Sequence, residues 1–270
     1  MIDCGEGTQM RFARLGLSMK RIGHIFISHA HGDHCLGLPG LICTMSLLGR
    51  TFDLHIHGPK ELEPFLQSAL HLFCPNLEFH VVFHAVDTTR HQLIHEERSM
   101  EVWSLPLRHR VPCCGFLFRE KPGQRHIRRD IIDMYEIPVS QINNIKAGMD
   151  WTLPDGTLIP NERLTTPPSP TRSFAYCSDT APQPGLADLV RGVDLLFHEA
   201  TFGKGDEMRA RQTFHSTTEE AARVALEAQV GQLCIGHYSA RIENEAQMLA
   251  EAQQIFPNTI LAEEGKRISI

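Results

Sequence analysis

The string His29-Ala30-His31-Gly32-Asp33-His34 directly follows the β-branched and aromatic run Ile25-Phe26-Ile27. It puts four side chains able to hold a metal on one tight turn at the end of a strand. His29 and His31, one residue apart, can converge on one ion, while Asp33 and His34 at the start of the next helix point to a neighbouring position. One loop can therefore serve two metals. Histidine is abundant in the whole chain, 16 of 270 residues, and imidazole is the commonest metal ligand.

Composition excludes several other classes. The hydrophobic and charged fractions, 42% and 21%, are those of an ordinary globular protein with a sizeable core. A net charge of −6 argues against binding nucleic acid through bulk charge, though it leaves room for a local basic patch. The longest apolar stretch, Cys35 to Gly49, is interrupted by Gly37, Pro39 and Gly40, so no membrane span is expected. Met1-Ile2-Asp3-Cys4-Gly5-Glu6 lacks the basic-then-apolar pattern of a signal peptide. Eight cysteines without framework spacing read as reduced thiols, and the expected location is cytoplasmic.

Short β-branched or aromatic runs alternate with helix-period runs, the pattern of an α/β architecture. Strands are expected at 24–28, 54–57, 80–86, 100–107, 115–119, 173–177, 194–198, 233–236 and 259–270. Helices are expected at 61–72, 218–228 and 243–255, the second opened by a capping box in Ser216-Thr217-Thr218-Glu219. The proline- and charge-rich segment 119–172 has weak periodicity and reads as an inserted arm within a single domain, 1–270.

The H-x-H-x-D-H string resembles the signature of the metallo-β-lactamase superfamily. That resemblance implies an αββα sandwich whose later strand ends supply the other ligands. Candidates stand in the expected order: His109 after Leu107-Arg108, Asp179 after Tyr176-Cys177-Ser178, and His237 after Ile235-Gly236. It further implies two Zn2+ per chain, one held by His29, His31 and His109, the other by Asp33, His34 and His237, with Asp179 bridging. The donor set favours zinc and leaves manganese open.

Within that superfamily, Asp3-Cys4-Gly5-Glu6-Gly7-Thr8-Gln9, His198-Glu199-Ala200-Thr201 and His215-Ser216-Thr217 resemble three hallmark strings of the ribonuclease Z family. The likeness extends through Ser178-Asp179-Thr180 and His237-Tyr238-Ser239-Ala240-Arg241. It implies an endonuclease that removes the 3′ trailer of precursor tRNA, leaving a tRNA 3′-hydroxyl and a 5′-phosphorylated trailer. Asp33 would orient the attacking water and accept its proton. Glu199, hydrogen-bonded to His215, would set the imidazole's tautomer and make it the proton donor to the departing oxygen. Arg241 reads either as a contact to a phosphate oxygen or as a plain surface arginine.

From Arg119 to Arg129 five basic residues face one acidic residue, Glu120, a local +4 suited to phosphate contacts. Arg125, Arg128 and Arg129 are the candidate RNA contacts. The family resemblance implies an arm that grips the tRNA elbow from the partner subunit of a homodimer. Where many members carry a Gly-Pro-rich string, however, this chain reads Ile137-Pro138-Val139-Ser140-Gln141-Ile142-Asn143-Asn144-Ile145-Lys146. Family members also place further hairpins ahead of the Asp3 string, so an unpaired sheet edge is expected here. Two rival readings remain: a small-molecule phosphodiesterase or thioesterase of the same superfamily, and a non-catalytic RNA-binding relative. The first would make Glu199, His215 and the arm unimportant; the second is disfavoured by the complete ligand set.

Overall fold

A computed structural model describes all residues, 1–270, and divides them into two compact units. The first comprises 1–96, 102–118 and 173–270; the second comprises 97–101 and 119–172.

In the first unit, the strands His24–Phe26, Leu54–Gly58 and Val81–Ala85 form a parallel three-stranded sheet in chain order. A seven-stranded sheet has the order Thr259–Leu261, Gln232–Gly236, Leu195–Glu199, Ser173–Cys177, Cys114–Glu120, Met100–Pro106, Leu93–Glu96. Its first four strands are parallel neighbours. Parallel pairing demands a crossover, and the helices Thr218–Ala228 and Glu245–Ile255 supply two of them. Ala221, Ala222, Ala225 and Ala228 are buried on the first of these helices, and such small side chains let helices approach closely. They join Leu196, Leu233, Ile235 and Met248 in one core on the outer side of this sheet. The other core sets Ile25, Ile56 and Leu54 against Leu38, Leu41, Ile42, Leu62 and Leu66 of the helices Gly37–Leu47 and Leu62–Phe73. Between the sheets, the Phe26 ring lies 5.5 Å from Phe116 and 5.4 Å from Phe118. Helix, sheet, sheet and helix follow one another, as in the metallo-β-lactamase fold.

Several expectations need correction. The closing strand stops at Leu261 instead of Ile270, because Glu263-Glu264-Gly265-Lys266 turns on a Lys266 N–H to Glu263 carbonyl bond of 3.1 Å. The capping box is shifted by one residue: Thr217 caps Glu220, whose carboxylate accepts from the Thr217 N–H at 2.9 Å. Ser216 is taken elsewhere, its hydroxyl donating to the Thr180 carbonyl at 2.7 Å. The strand Leu93–Glu96 and the helices Thr8–Arg14, Gly37–Leu47 and Glu207–Thr213 were not expected. Pro39 hides the second of these helices in the sequence, yet it sits in the first turn, where an N–H has no partner to lose. The eight cysteines are not all free: packing of the helices Gly37–Leu47 and Leu62–Phe73 joins Cys43 to Cys74, and the other six are buried thiols. At the edge of the three-stranded sheet, Ile2 forms a parallel bridge to Phe26. No helix is long and apolar enough to cross a membrane.

The second unit has its own core of Ile131, Ile137, Ile145, Ile159 and Leu164. Three short helices, Arg129–Met134, Val139–Lys146 and Asn161–Leu164, and two two-stranded ladders surround it. Each helix is too brief to show a period in the sequence. Asn161 ties them together by donating to the carbonyls of Ile145 and Met149, both at 2.7 Å. Glu120 and Arg172 pair where the chain enters and leaves.

Candidate metal centre

Parallel register decides which residues meet. Cys177 stands opposite His198, and Glu199 opposite Gly236, so the carboxyl ends of three adjacent strands finish at one edge. Asp179, Glu199 and His237 are thereby delivered together, and the 29–34 loop arrives there from the end of the other sheet. His109 comes from the loop between Met100–Pro106 and Cys114–Glu120.

The ligand atoms of His29, His31, His109 and Asp179 all lie within 4.8 Å of one another, as do those of Asp33, His34 and His237. His29 Nε2 is 3.0 Å from His31 Nδ1, which is 3.3 Å from His109 Nε2. Asp179 stands between the two groups. Its Oδ2 is 3.6 Å from His29 and 3.8 Å from His109, while its Oδ1 is 3.5 Å from His34 and 3.3 Å from His237. Asp33 Oδ2 is 3.5 Å from His34 Nε2 and 3.7 Å from His237 Nε2.

The electrostatics fit cations at this place. Asp179 Oδ1 and His34 Nε2 are buried without a hydrogen-bond partner, a condition costing about 1–3 kcal/mol per group unless something else satisfies it. Burial opposes a proton on His237, yet Asp33, Asp179 and Glu199 outweigh it and raise its pKa to about 9. The carboxylates that draw a proton there would draw a metal dication. His29 is the opposite case: burial, then His34, His109 and His31, lower its pKa to about 2, so it presents a neutral ring. Hydrogen bonding from His237 holds the Asp33 carboxyl well below the usual carboxylate range.

Three of the rings are aimed by partners behind them, the usual arrangement around a metal. His34 Nδ1 bonds Asp3 Oδ2 at 2.8 Å, and that carboxylate also accepts from the Ser28 N–H and hydroxyl and from the Tyr176 hydroxyl. His109 Nδ1 donates to the Phe214 carbonyl at 2.9 Å, and His237 Nδ1 lies 2.9 Å from Thr201 Oγ1. Phe214 and His237 both adopt the left-handed backbone, with φ of 60° and 61°, strain of the kind found at functional sites. The Asp3 turn is pressed onto the metal loop: a Cβ on Gly5 would meet the Asp33 carbonyl at 2.3 Å, and one on Gly37 would meet the Gly5 carbonyl at 2.0 Å. Asp3, Ser28, Thr201, Phe214 and Tyr176 were given no separate role by the sequence. Asp3 and Thr201 at least lie inside strings that signalled function.

Glu199 is fully buried and accepts five hydrogen bonds, from the N–H groups of Thr180, Ser216 and Thr201, from the Thr201 hydroxyl and from His215 Nδ1. Burial alone would raise its pKa, but His215 and these donors lower it, so it stays a carboxylate. His215 Nδ1 is held at 2.9 Å, and its Nε2 is 4.0 Å from Asp179 Oδ2. Arg125, Arg128 and Arg129 belong to the second unit, where Arg125 donates to Thr165 Oγ1 and Arg128 pairs with Asp130. Arg241 is exposed beyond the strand Gln232–Gly236.

Comparison with known proteins agrees with this architecture. Residues 163–238 match the family described as beta-lactamase superfamily domain, and residues 1–121 match the family described as anti-Pycsar protein Apyc1. The solved metallo-β-lactamase fold protein YhfI from Bacillus subtilis, 17% identical, superposes with a TM-score of 0.65 over 98% of this chain and 84% of that one. Fold and site together define a metal-dependent hydrolase of the metallo-β-lactamase superfamily. The short form of human tRNase Z is 26% identical, with a TM-score of 0.70 over all of this chain and 87% of that one. Ribonuclease Z of Parabacteroides distasonis is 52% identical, and that of Bacteroides fragilis 54%, each over 100% of this chain and 89% of the relative. The chain belongs to the ribonuclease Z family.

Proposed function

We propose that this chain is the endonuclease that removes the 3′ trailer from precursor tRNA, working with two zinc ions. His29, His31 and His109 would hold one ion and Asp33, His34 and His237 the other, with Asp179 shared between the two groups. The division of the Asp179 oxygens, Oδ2 toward the first group and Oδ1 toward the second, supports that assignment. Bound there, the ions supply the positive charge and the acidified water that phosphodiester hydrolysis needs.

The protein's own groups handle the protons. Asp33, kept anionic, orients the attacking water and accepts its proton as the new P–O bond forms. The bond from phosphorus to the tRNA 3′ oxygen breaks, and His215 gives that oxygen a proton from Nε2. Glu199 is a positioning residue: its five accepted hydrogen bonds keep it charged, so it fixes the tautomer of His215 and stabilises the imidazolium without donating itself. The single observation carrying this reading is the buried Glu199–His215 pair, 2.9 Å apart, facing Asp179.

The second unit serves as the arm that grips tRNA, from the partner subunit of a homodimer, and the enzyme works in the cytoplasm. A groove of about 680 Å³ within this unit, lined by Arg98, Lys121, Arg125, His126 and Lys146 among others, supports a phosphate-binding role. Arg129 is exposed beside it in sequence, and Arg241 contacts a phosphate oxygen near the scissile bond.

The test compares a 3′-extended precursor tRNA with bis(p-nitrophenyl) phosphate and a thioester on one metal-analysed preparation. Cleavage of the precursor at the trailer junction, with a 5′-phosphate on the trailer, is expected. Hydrolysis of the thioester with intact precursor would overturn the reading. Neutralising Arg125, Arg128 and Arg129 together is expected to raise KM for the precursor and flatten its salt dependence, with turnover of the small diester unchanged; unchanged precursor KM would remove the arm from the reading.

A further inference from the structure

A second group of histidines, sharing no residue with the centre just described, lies in the first unit. In the three-stranded sheet His24 stands opposite His55, and Phe26 stands opposite His57, which stands opposite His84. Side chains alternate along a strand, so His24, His55, His57 and His84 share the face that carries Phe26 toward the other sheet. Their neighbours Ile25 and Ile56 point the other way, into the core under the outer helices. His95, on Leu93–Glu96 of the seven-stranded sheet, closes on them, its ring centroid 4.1 Å from that of His24 and 5.4 Å from that of His57.

The nitrogens converge as well as the rings. His24 Nδ1 and His57 Nε2 are 3.1 Å apart, and the ligand atoms of His24, His57 and His95 all fall within 4.8 Å of one another. Zinc–nitrogen bonds of about 2.0–2.1 Å make the edge of a tetrahedral site roughly 3.3–3.4 Å. The His24–His57 spacing is thus close to what an ion needs, and close to the 3.0 and 3.3 Å spacings at the catalytic centre. His57 is 1% exposed and its Nδ1 has no hydrogen-bond partner. The nitrogen turned toward His24 is the other one, Nε2, and it is the donor this ring offers to an ion. Behind the trio, His55 Nδ1 bonds His84 Nε2 at 2.9 Å, and these two rings stack on His24 and His57 at 4.7 and 4.5 Å.

The geometry points to a further metal site, formed by His24, His57 and His95, that takes one late first-row divalent cation such as zinc and ties the two sheets together. An all-imidazole donor set suits zinc, copper or nickel, and three ligands leave a position open to water. Two ligands come from one sheet and one from the other, so the ion is a cross-link between layers and takes no part in hydrolysis. Binding only to the folded form, it stabilises by mass action. His55 and His84 hold the rings in place and are not ligands.

The experiment uses the full chain, saturated with zinc and dialysed against low-micromolar zinc, beside His24→Gln and His95→Gln. Each variant is expected to hold one zinc fewer per chain than the unsubstituted protein. Added zinc should raise the unfolding temperature of the unsubstituted protein further than that of either variant, while His95→Gln keeps full turnover of bis(p-nitrophenyl) phosphate. Equal zinc content in all three proteins would overturn the proposal, as would a loss that also removes turnover. The comparison reads a difference of one equivalent, so it stands apart from the count at the catalytic centre.

Discussion

Two histidine clusters in one unit are built from the same residue type but stand among different charges. At the catalytic centre four carboxylates, Asp3, Asp33, Asp179 and Glu199, surround the rings, and the pKa of His237 rises to about 9. In the His24, His57 and His95 group the rings pair with one another, and the pKa of His57 falls to about 3. The difference lies in what stands behind each ring. Asp3, Thr201, Glu199 and the Phe214 carbonyl aim the rings at the first site, whereas His55 and His84 stack behind the rings at the second. A site with carboxylates draws cations strongly and supports acid and base chemistry; a site of neutral imidazoles holds an ion without acquiring either. Histidine count alone therefore says little about function, and the partners of the second ring nitrogen say a good deal.

The contrast is most severely tested at Asp179. Asp179→Asn is expected to release both catalytic ions and abolish precursor cleavage, while the three-histidine site keeps its zinc; His109→Ala should weaken chiefly one ion. Metal analysis beside a cleavage assay distinguishes them, and loss of a single ion in both variants would end the bridging role. Next in size, His215→Ala should lower turnover on precursor tRNA by roughly 10²- to 10⁴-fold with zinc content unchanged. The loss should shrink on bis(p-nitrophenyl) phosphate, whose leaving group needs no proton, and an equal loss on both substrates would count against proton donation. Asp3→Asn comes third: removing the charge behind His34 should weaken zinc affinity at the catalytic centre by about 10- to 100-fold, measured by competition with a chelating dye. The smallest effect on activity belongs to the second cluster. Dialysis against a weak chelator should strip one zinc from there first, leaving precursor cleavage intact; simultaneous loss of all zinc would show that the two sites do not differ in the way their partners imply.

How much of this was legible in the chain depended on how local each signal is. His29, His31, Asp33 and His34 occupy one turn, so their chemistry was readable in one short string, whereas His109, Asp179 and His237 each merely follow an apolar run and became candidates through the family resemblance. The strand Ser173–Cys177 and the helix Thr218–Ala228 fell where composition and spacing put them. The helix Gly37–Leu47 did not, because Gly37, Pro39 and Gly40 read as breakers although they sit in its first turn or under the Gly5 backbone. The small helices of the second unit are shorter than the window in which a period can be seen.

By itself the sequence determined the metal-binding turn at 29–34 and, through its likeness to a known family, the order of the other candidate ligands and the pairing of Glu199 with His215. Only the tertiary structure decided that Asp3 stands behind His34, that Ser216 bonds Thr180 and leaves the cap to Thr217, and that Cys43 reaches Cys74. The same holds for the second histidine cluster, whose members sit on four strands and look, one at a time, like ordinary strand residues. The physical reason is the range of the forces involved. Metal-binding turns and amphipathic runs are fixed by neighbours within a few residues, while register and sheet-on-sheet packing are fixed by contacts between distant segments, which no string of adjacent residues encodes.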